Sequence, residues 1–148
     1  MPKRPGLPFR ITLCAVLVLI TAAWNFLRLL TGITWFQVLQ SYAPEPGPLY
    51  LGGTGALWTA VGLVLVWGLA RRRSWAPRAM LVGAWLYAAW AWTDRILLQG
   101  GGSPNWPFAL IATALVLGFI TAAMLDRRID KFFGKEAHEL EPQDPSSP

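Results

Sequence analysis

Residues 71–98, RRRSWAPRAM LVGAWLYAAW AWTDRILL, decide how many times this chain crosses a membrane. The stretch opens on a basic cluster, runs through an apolar, tryptophan-rich segment, and ends with an acid and a base side by side, Asp94 and Arg95. A membrane span needs about 20 mainly apolar residues, and residues 76–98 have that length. Three other stretches do as well: residues 9–31, 49–70 and 107–125. Backbone polar groups in lipid must be satisfied within the segment, so each span is expected to be a helix. A membrane β-barrel would alternate apolar and polar residues in segments of about 10 residues, which these continuous runs do not.

The totals agree with a membrane location. Of 148 residues, 54% are hydrophobic and 14% charged, against about 25% charged in an ordinary soluble domain. The net charge of +5 does not indicate nucleic acid as a partner, because the basic residues lie in short clusters beside apolar runs and no nucleic-acid recognition motif is present. The bilayer is the expected environment. Of the 13 basic residues, 11 flank one side: Lys3, Arg4 and Arg10; Arg71, Arg72, Arg73 and Arg78; Arg127, Arg128, Lys131 and Lys135. The two opposite loops, 32–48 and 99–106, carry none. The positive-inside rule then places both termini in the cytoplasm, in a plasma (inner) membrane.

The expected architecture is an all-α integral membrane protein, with residues 9–126 forming a bundle of four transmembrane helices. Residues 1–8 form a cytoplasmic N-terminal segment. The N-terminal run resembles a signal peptide in composition, but its apolar residues continue through Leu30, so it is read as a retained first helix. In the first outer loop, Trp35, Val38, Leu39 and Tyr42 share one helical face, which predicts a short helix in the outer interface. Residues 127–140 are read as a cytoplasmic juxtamembrane helix, and residues 141–148 as a disordered tail.

A shift of 68 residues brings Arg10 onto Arg78, Leu13 onto Leu81, Trp24 onto Trp92 and Gly32 onto Gly100. WNFLRLLTG and WTDRILLQG then read as two versions of one helix end. This pattern is that of two parallel-repeat helical hairpins related by an axis along the membrane normal.

Ionisable residues inside spans are costly and each needs a reason. At about 1.5 Å per residue, Arg28 lies about 12 Å beyond the middle of the first span and Asp94 about 10 Å beyond the middle of the third. The two helices run in the same direction, so these residues share a depth and form a candidate ion pair. Asn25 lies one turn from Arg28 and can join the pair. Arg95 points about 100° away from Asp94 on the helical wheel, toward the headgroups. Trp24, Trp90 and Trp92 lie near this level and are candidates to line an aromatic pocket, although packing alone accounts for tryptophans at such positions. On the second span, Gly52, Ala56 and Ala60, with Gly55 and Thr59 beside them, make a small-residue stripe for close helix contact, within the bundle or with a partner subunit.

No P-loop, nucleophile elbow, HExxH or dinucleotide fingerprint is present. One cysteine, Cys14, and one histidine, His138, leave no basis for a disulfide, a metal site or a bound cofactor. The leading expectation is a non-enzymatic accessory or assembly subunit of a membrane complex, with other membrane subunits or further copies of itself as partners. The alternative is a small transporter or a hydrophobic-ligand-binding membrane protein with its polar site near Asp94.

Overall fold

The computed structural model describes residues 9–42, 47–97 and 105–126. The expectations for residues 1–8, for the tail from 127 onward and for most of the 99–106 loop lie outside them. Five helices make up 91% of the described residues, with no strand among them. They are α1 (Phe9–Thr34), α2 (Phe36–Tyr42), α3 (Pro48–Ala70), α4 (Ala76–Leu97) and α5 (Trp106–Met124).

Among the described residues, three helices (α1, α3 and α5) are long and apolar enough to cross a membrane. The sequence predicts four spans, and α4 is the one that falls outside this set. α4 matches the others in length, with 22 residues, but not in apolarity. It carries Arg78, Asp94 and Arg95, and its bulk comes from Trp85, Tyr87, Trp90 and Trp92. Their rings have polar tips that reduce the gain on leaving water. Large apolar side chains stay uncovered on every long helix, and only 17% of the most apolar window of α1 is buried inside the fold. Such a surface suits lipid rather than water. Several threonines within these helices satisfy their hydroxyls locally, donating to the carbonyl one turn back: Thr21 to Leu17, Thr59 to Gly55, and Thr113 to Ala109.

The chain follows local signals. α1 breaks at Trp35 and α2 follows at once, with Trp35 N–H still bonding Thr31 O and Leu39 N–H bonding Trp35 O. None of α2 is buried. Pro48 opens α3, where its missing N–H has no helical partner to lose. α3 ends in a Schellman turn: Arg73 N–H reaches Gly68 O (3.0 Å) and Arg72 N–H reaches Leu69 O (3.1 Å). Arg72 adopts a positive φ of 52° to make this turn. The Trp75 ring then lies so close to Gly68 that a Cβ there would be 2.6 Å from it.

The long helices follow one another around a ring: α1 against α3, α3 against α4, α4 against α5, and α5 against α1. α1 and α3 form the tightest pair, as an antiparallel hairpin. A Cβ on Gly55 would sit 2.7 Å from the backbone of both Asn25 and Leu29. One on Gly32 would sit 2.8 Å from Gly52 N, and one on Gly62 2.8 Å from the Ala22 Cβ. Thr59 Oγ1 reaches across to Ala22 O at 3.4 Å. The face that packs on α1 therefore runs Gly52, Gly55, Thr59 and Gly62. Of the expected stripe only Gly52 takes part, while Ala56 and Ala60 face outward.

At the end where α1 begins, Ile11, Cys14, Leu69, Ala76, Met80, Ile120 and Met124 form the buried core. Arg10 closes that end with an ion pair to Asp126 at 3.1 Å, so the start of α1 and the end of α5 lie together. The Gly55 contact predicts a contrast between two neighbouring glycines. Gly55→Ala should lower stability in detergent by about 2 kcal/mol through overpacking against backbone. Gly53→Ala, which meets nothing within 4 Å, should be neutral or stabilising by up to about 1 kcal/mol. Thermal unfolding of the two purified variants checks this.

Candidate functional site

At the opposite end of the bundle, α1, α3 and α4 bring their polar side chains together. The Asp94 side chain is buried, at 8% exposure, although a carboxylate in such surroundings needs donors to offset its lost hydration. Two residues from other helices meet it. Tyr50, in the first turn of α3, donates its hydroxyl to Asp94 Oδ1 at 2.8 Å. The Arg28 guanidinium from α1 stands 3.8 Å from Asp94 Oδ2.

Trp90, one turn before Asp94, completes the circuit. Its indole N–H donates to the Tyr50 hydroxyl at 3.2 Å, and its ring lies 5.0 Å beneath the Arg28 guanidinium. Arg28, Asp94, Tyr50 and Trp90 thus form a closed ring of contacts across three helices. The cation is held from one side by charge and from the other by a ring face, a combination strengthened where water is scarce.

A second layer lies one turn deeper. Asn25 is fully buried and donates its amide to the Tyr87 hydroxyl (3.2 Å) and to Thr21 O (2.9 Å). Trp58, Tyr87 and Trp90 pack with centroid separations of 5.0, 5.5 and 5.6 Å, the Trp58–Tyr87 pair edge-on. These spacings fall within the favourable range for aromatic pairs. Among the described residues, three polar atoms here have no hydrogen-bond partner: Asn25 Oδ1, Arg28 Nε and the Trp58 indole nitrogen.

Of the residues singled out from the sequence, Arg28, Asp94, Asn25 and Trp90 come together in this cluster. Arg95 is half-buried in the last turn of α4. Trp92 lines a cavity below the cluster. Trp24 is 63% exposed and faces away from the bundle, which corrects its placement as an aromatic lining residue. Tyr50 and Tyr87 were not anticipated. The signal for Tyr50 was available in the hairpin geometry, because an antiparallel α1–α3 pair brings the start of α3 level with the end of α1.

Below the cluster and above the apolar core, a cavity of about 370 Å³ lies between α1, α3, α4 and α5. Its walls are apolar apart from Thr21, Thr113, Trp58, Tyr87 and Trp92. Asp94 and Arg28 are not among the lining residues. Among the described residues no cluster of three or more His, Cys, Asp or Glu side chains is placed to hold a metal ion. Comparison with known proteins returned no matching family model, no similar curated protein and no similar solved structure.

Tyr50 is the only donor from α3 onto Asp94 in this ring, so Tyr50→Phe should cost about 2 kcal/mol, the range for a hydrogen bond to a charged group. The exposed Tyr42→Phe should cost less than about 0.5 kcal/mol. Thermal unfolding of both variants in the same detergent separates them.

Proposed function

We propose that this chain is a four-span, non-enzymatic protein of the plasma (inner) membrane with both termini in the cytoplasm, acting as a small accessory or assembly subunit of a membrane complex. The observation that carries this reading is the closure of the polar centre on itself. Asp94 is buried, held by Tyr50 and Arg28. It does not line the cavity below it. A transport carboxylate needs a route for water or solute, whereas a fastener needs only partners. The geometry favours a fastener that fixes the register of α1, α3 and α4.

The ion pair between Arg10 and Asp126 supports α4 as a fourth crossing despite its lower apolarity. If only α1, α3 and α5 crossed, the start of α1 and the end of α5 would lie on opposite sides of the membrane. Their contact calls for an even number of crossings. α4 also runs the depth of the bundle, from Ala76 in the apolar core to Asp94 in the polar cluster. It turns its least lipid-compatible group, Asp94, inward, as intramembrane charges do.

The outward face of α3 supports a partner role. Gly53, Ala56 and Ala60 are exposed along one side and allow another helix to approach closely. The subunit reading predicts that a complex recovered in mild detergent is lost in the Ala56→Leu/Ala60→Leu variant, while the thermal stability of the chain itself is unchanged. A lone, monodisperse monomer from native membranes contradicts the subunit role. Reporter fusions at the two ends test the topology separately. Both should report the cytoplasm, and an extracytoplasmic C-terminus overturns the four-span reading.

A further inference from the structure

We infer that the turn joining α3 to α4 is a binding site for an anionic phospholipid, with the Arg71 and Arg73 guanidinium groups on its phosphate. The inference rests on the membrane reading above and is independent of the subunit role. Charge is the first observation. Among the described residues, the end of the bundle where α1 begins carries Arg10, Arg71, Arg72, Arg73 and Arg78 against one carboxylate, Asp126. Arg10 already meets that carboxylate. Arg71, Arg73 and Arg78 are exposed, and none of the three has an ion pair within the described residues. Positive charges gathered on one surface repel one another, and a bound anion relieves the repulsion.

Topology alone asks only for positive charge on this side, and lysines on a loose loop would supply it. This turn is more constrained. The backbone N–H groups of Arg71, Arg72 and Arg73 all bond carbonyls in the last turn of α3, and Ala76 N–H returns to Arg73 O at 3.0 Å. Arg71 and Arg73 therefore leave fixed backbone positions, so less freedom is lost when they close on a ligand. The Arg73 guanidinium lies over the Trp67 ring, 5.7 Å from its centroid. Trp75 closes over Gly68 beside it, and both rings are partly exposed. Tryptophans at the end of a span sit at headgroup depth, so the ring holds the guanidinium level with lipid phosphates. The planar guanidinium fork fits two phosphate oxygens. One turn deeper, Leu63 and Val64 are exposed on the side of α3 that bears Trp67, and they suit acyl chains. A free phosphate gains nothing from that apolar strip. A phosphatidylcholine brings its own cation to the phosphate, whereas a phosphatidylglycerol leaves the arginines as its counter-charge.

The test titrates dihexanoyl-phosphatidylglycerol and dihexanoyl-phosphatidylcholine into the full chain in mild-detergent micelles and reads the shift in thermal midpoint. The wild type should prefer the anionic lipid by about thirtyfold, the worth of two arginines at a membrane surface. Arg71→Gln/Arg73→Gln should abolish the preference. Arg71→Lys/Arg73→Lys keeps the charge, and with it the topology, but loses the fork; the preference should fall to about fivefold. No preference in the wild type overturns the inference, as it would if the chain's own Glu136, Glu139 and Glu141 took the arginines. An undiminished preference in the lysine variant also overturns it, because diffuse charge would then be sufficient. A shift from sodium phosphate as large as that from phosphatidylglycerol at equal concentration marks a free-anion site and rejects the lipid. Should the glutamine variant fail to fold, the lysine variant decides alone. Micelles leave both ends of the bundle open to added lipid, and topology is read by separate fusions, so failure here leaves the membrane reading standing.

Discussion

A carboxylate placed inside an apolar helical bundle has to be met by donors from other helices, and the arrangement of this protein follows from how Asp94 is met. Its two oxygens take a phenol from α3 and face a guanidinium from α1. Neither partner lies on its own helix, so the contacts exist only when three helices hold one register. Trp90 ties the partners to each other through Tyr50 and through the face beneath Arg28. Buried ion pairs seldom add much net stability over a well-packed apolar core, because desolvation offsets most of the attraction. Their strength lies in the penalty for any arrangement that separates them. A small bundle with little soluble mass gains specificity from that penalty.

Register on the α1–α3 side depends on shape rather than charge. Gly32, Gly55 and Gly62 let backbone meet backbone or a methyl group at distances that no side chain allows. This contact fixes the height of Arg28 relative to Tyr50 and leaves α4 to supply the acid. Close packing at one pair and polar closure across three helices are therefore linked, and the cavity lies where neither reaches. α5 touches α4 and α1 and completes the ring without entering the polar cluster.

Much of this was legible in the sequence, because the rise of a helix is regular. Counting about 1.5 Å per residue from the span centres put Arg28 and Asp94 at one depth, and the structure has them 3.8 Å apart. Helical direction was less well read. Trp24 precedes Asn25 by one residue, about 100° around the helix, so with Asn25 turned inward Trp24 turns toward lipid. The stripe Gly52–Ala56–Ala60 leaves α1 for the same reason, with Ala56 and Ala60 on the outer face. Strict four-residue steps drift by about 40° each, and the face that stays on α1 alternates steps of three and four, through Gly52, Gly55, Thr59 and Gly62. Tyr50 and Tyr87 were passed over because a tyrosine in a membrane helix reads first as part of the interfacial belt. Only the pairing of helices reveals that their hydroxyls point at an acid and an amide. α4 looked like a span by length, and its polarity became intelligible once Asp94, Tyr87 and Trp90 were seen to face other helices.

The fastener is tested most directly by a double-mutant cycle on Arg28 and Asp94, with Arg28→Met and Asp94→Asn, read by equilibrium unfolding in detergent. Each single change leaves a buried polar partner unmet and should cost about 3 kcal/mol. The double variant should cost clearly less than the sum, leaving a coupling of about 2 kcal/mol between the two positions. Costs that add to within about 0.5 kcal/mol would mean that the two residues act independently, and the account of Asp94 as the fastener of the bundle would be wrong.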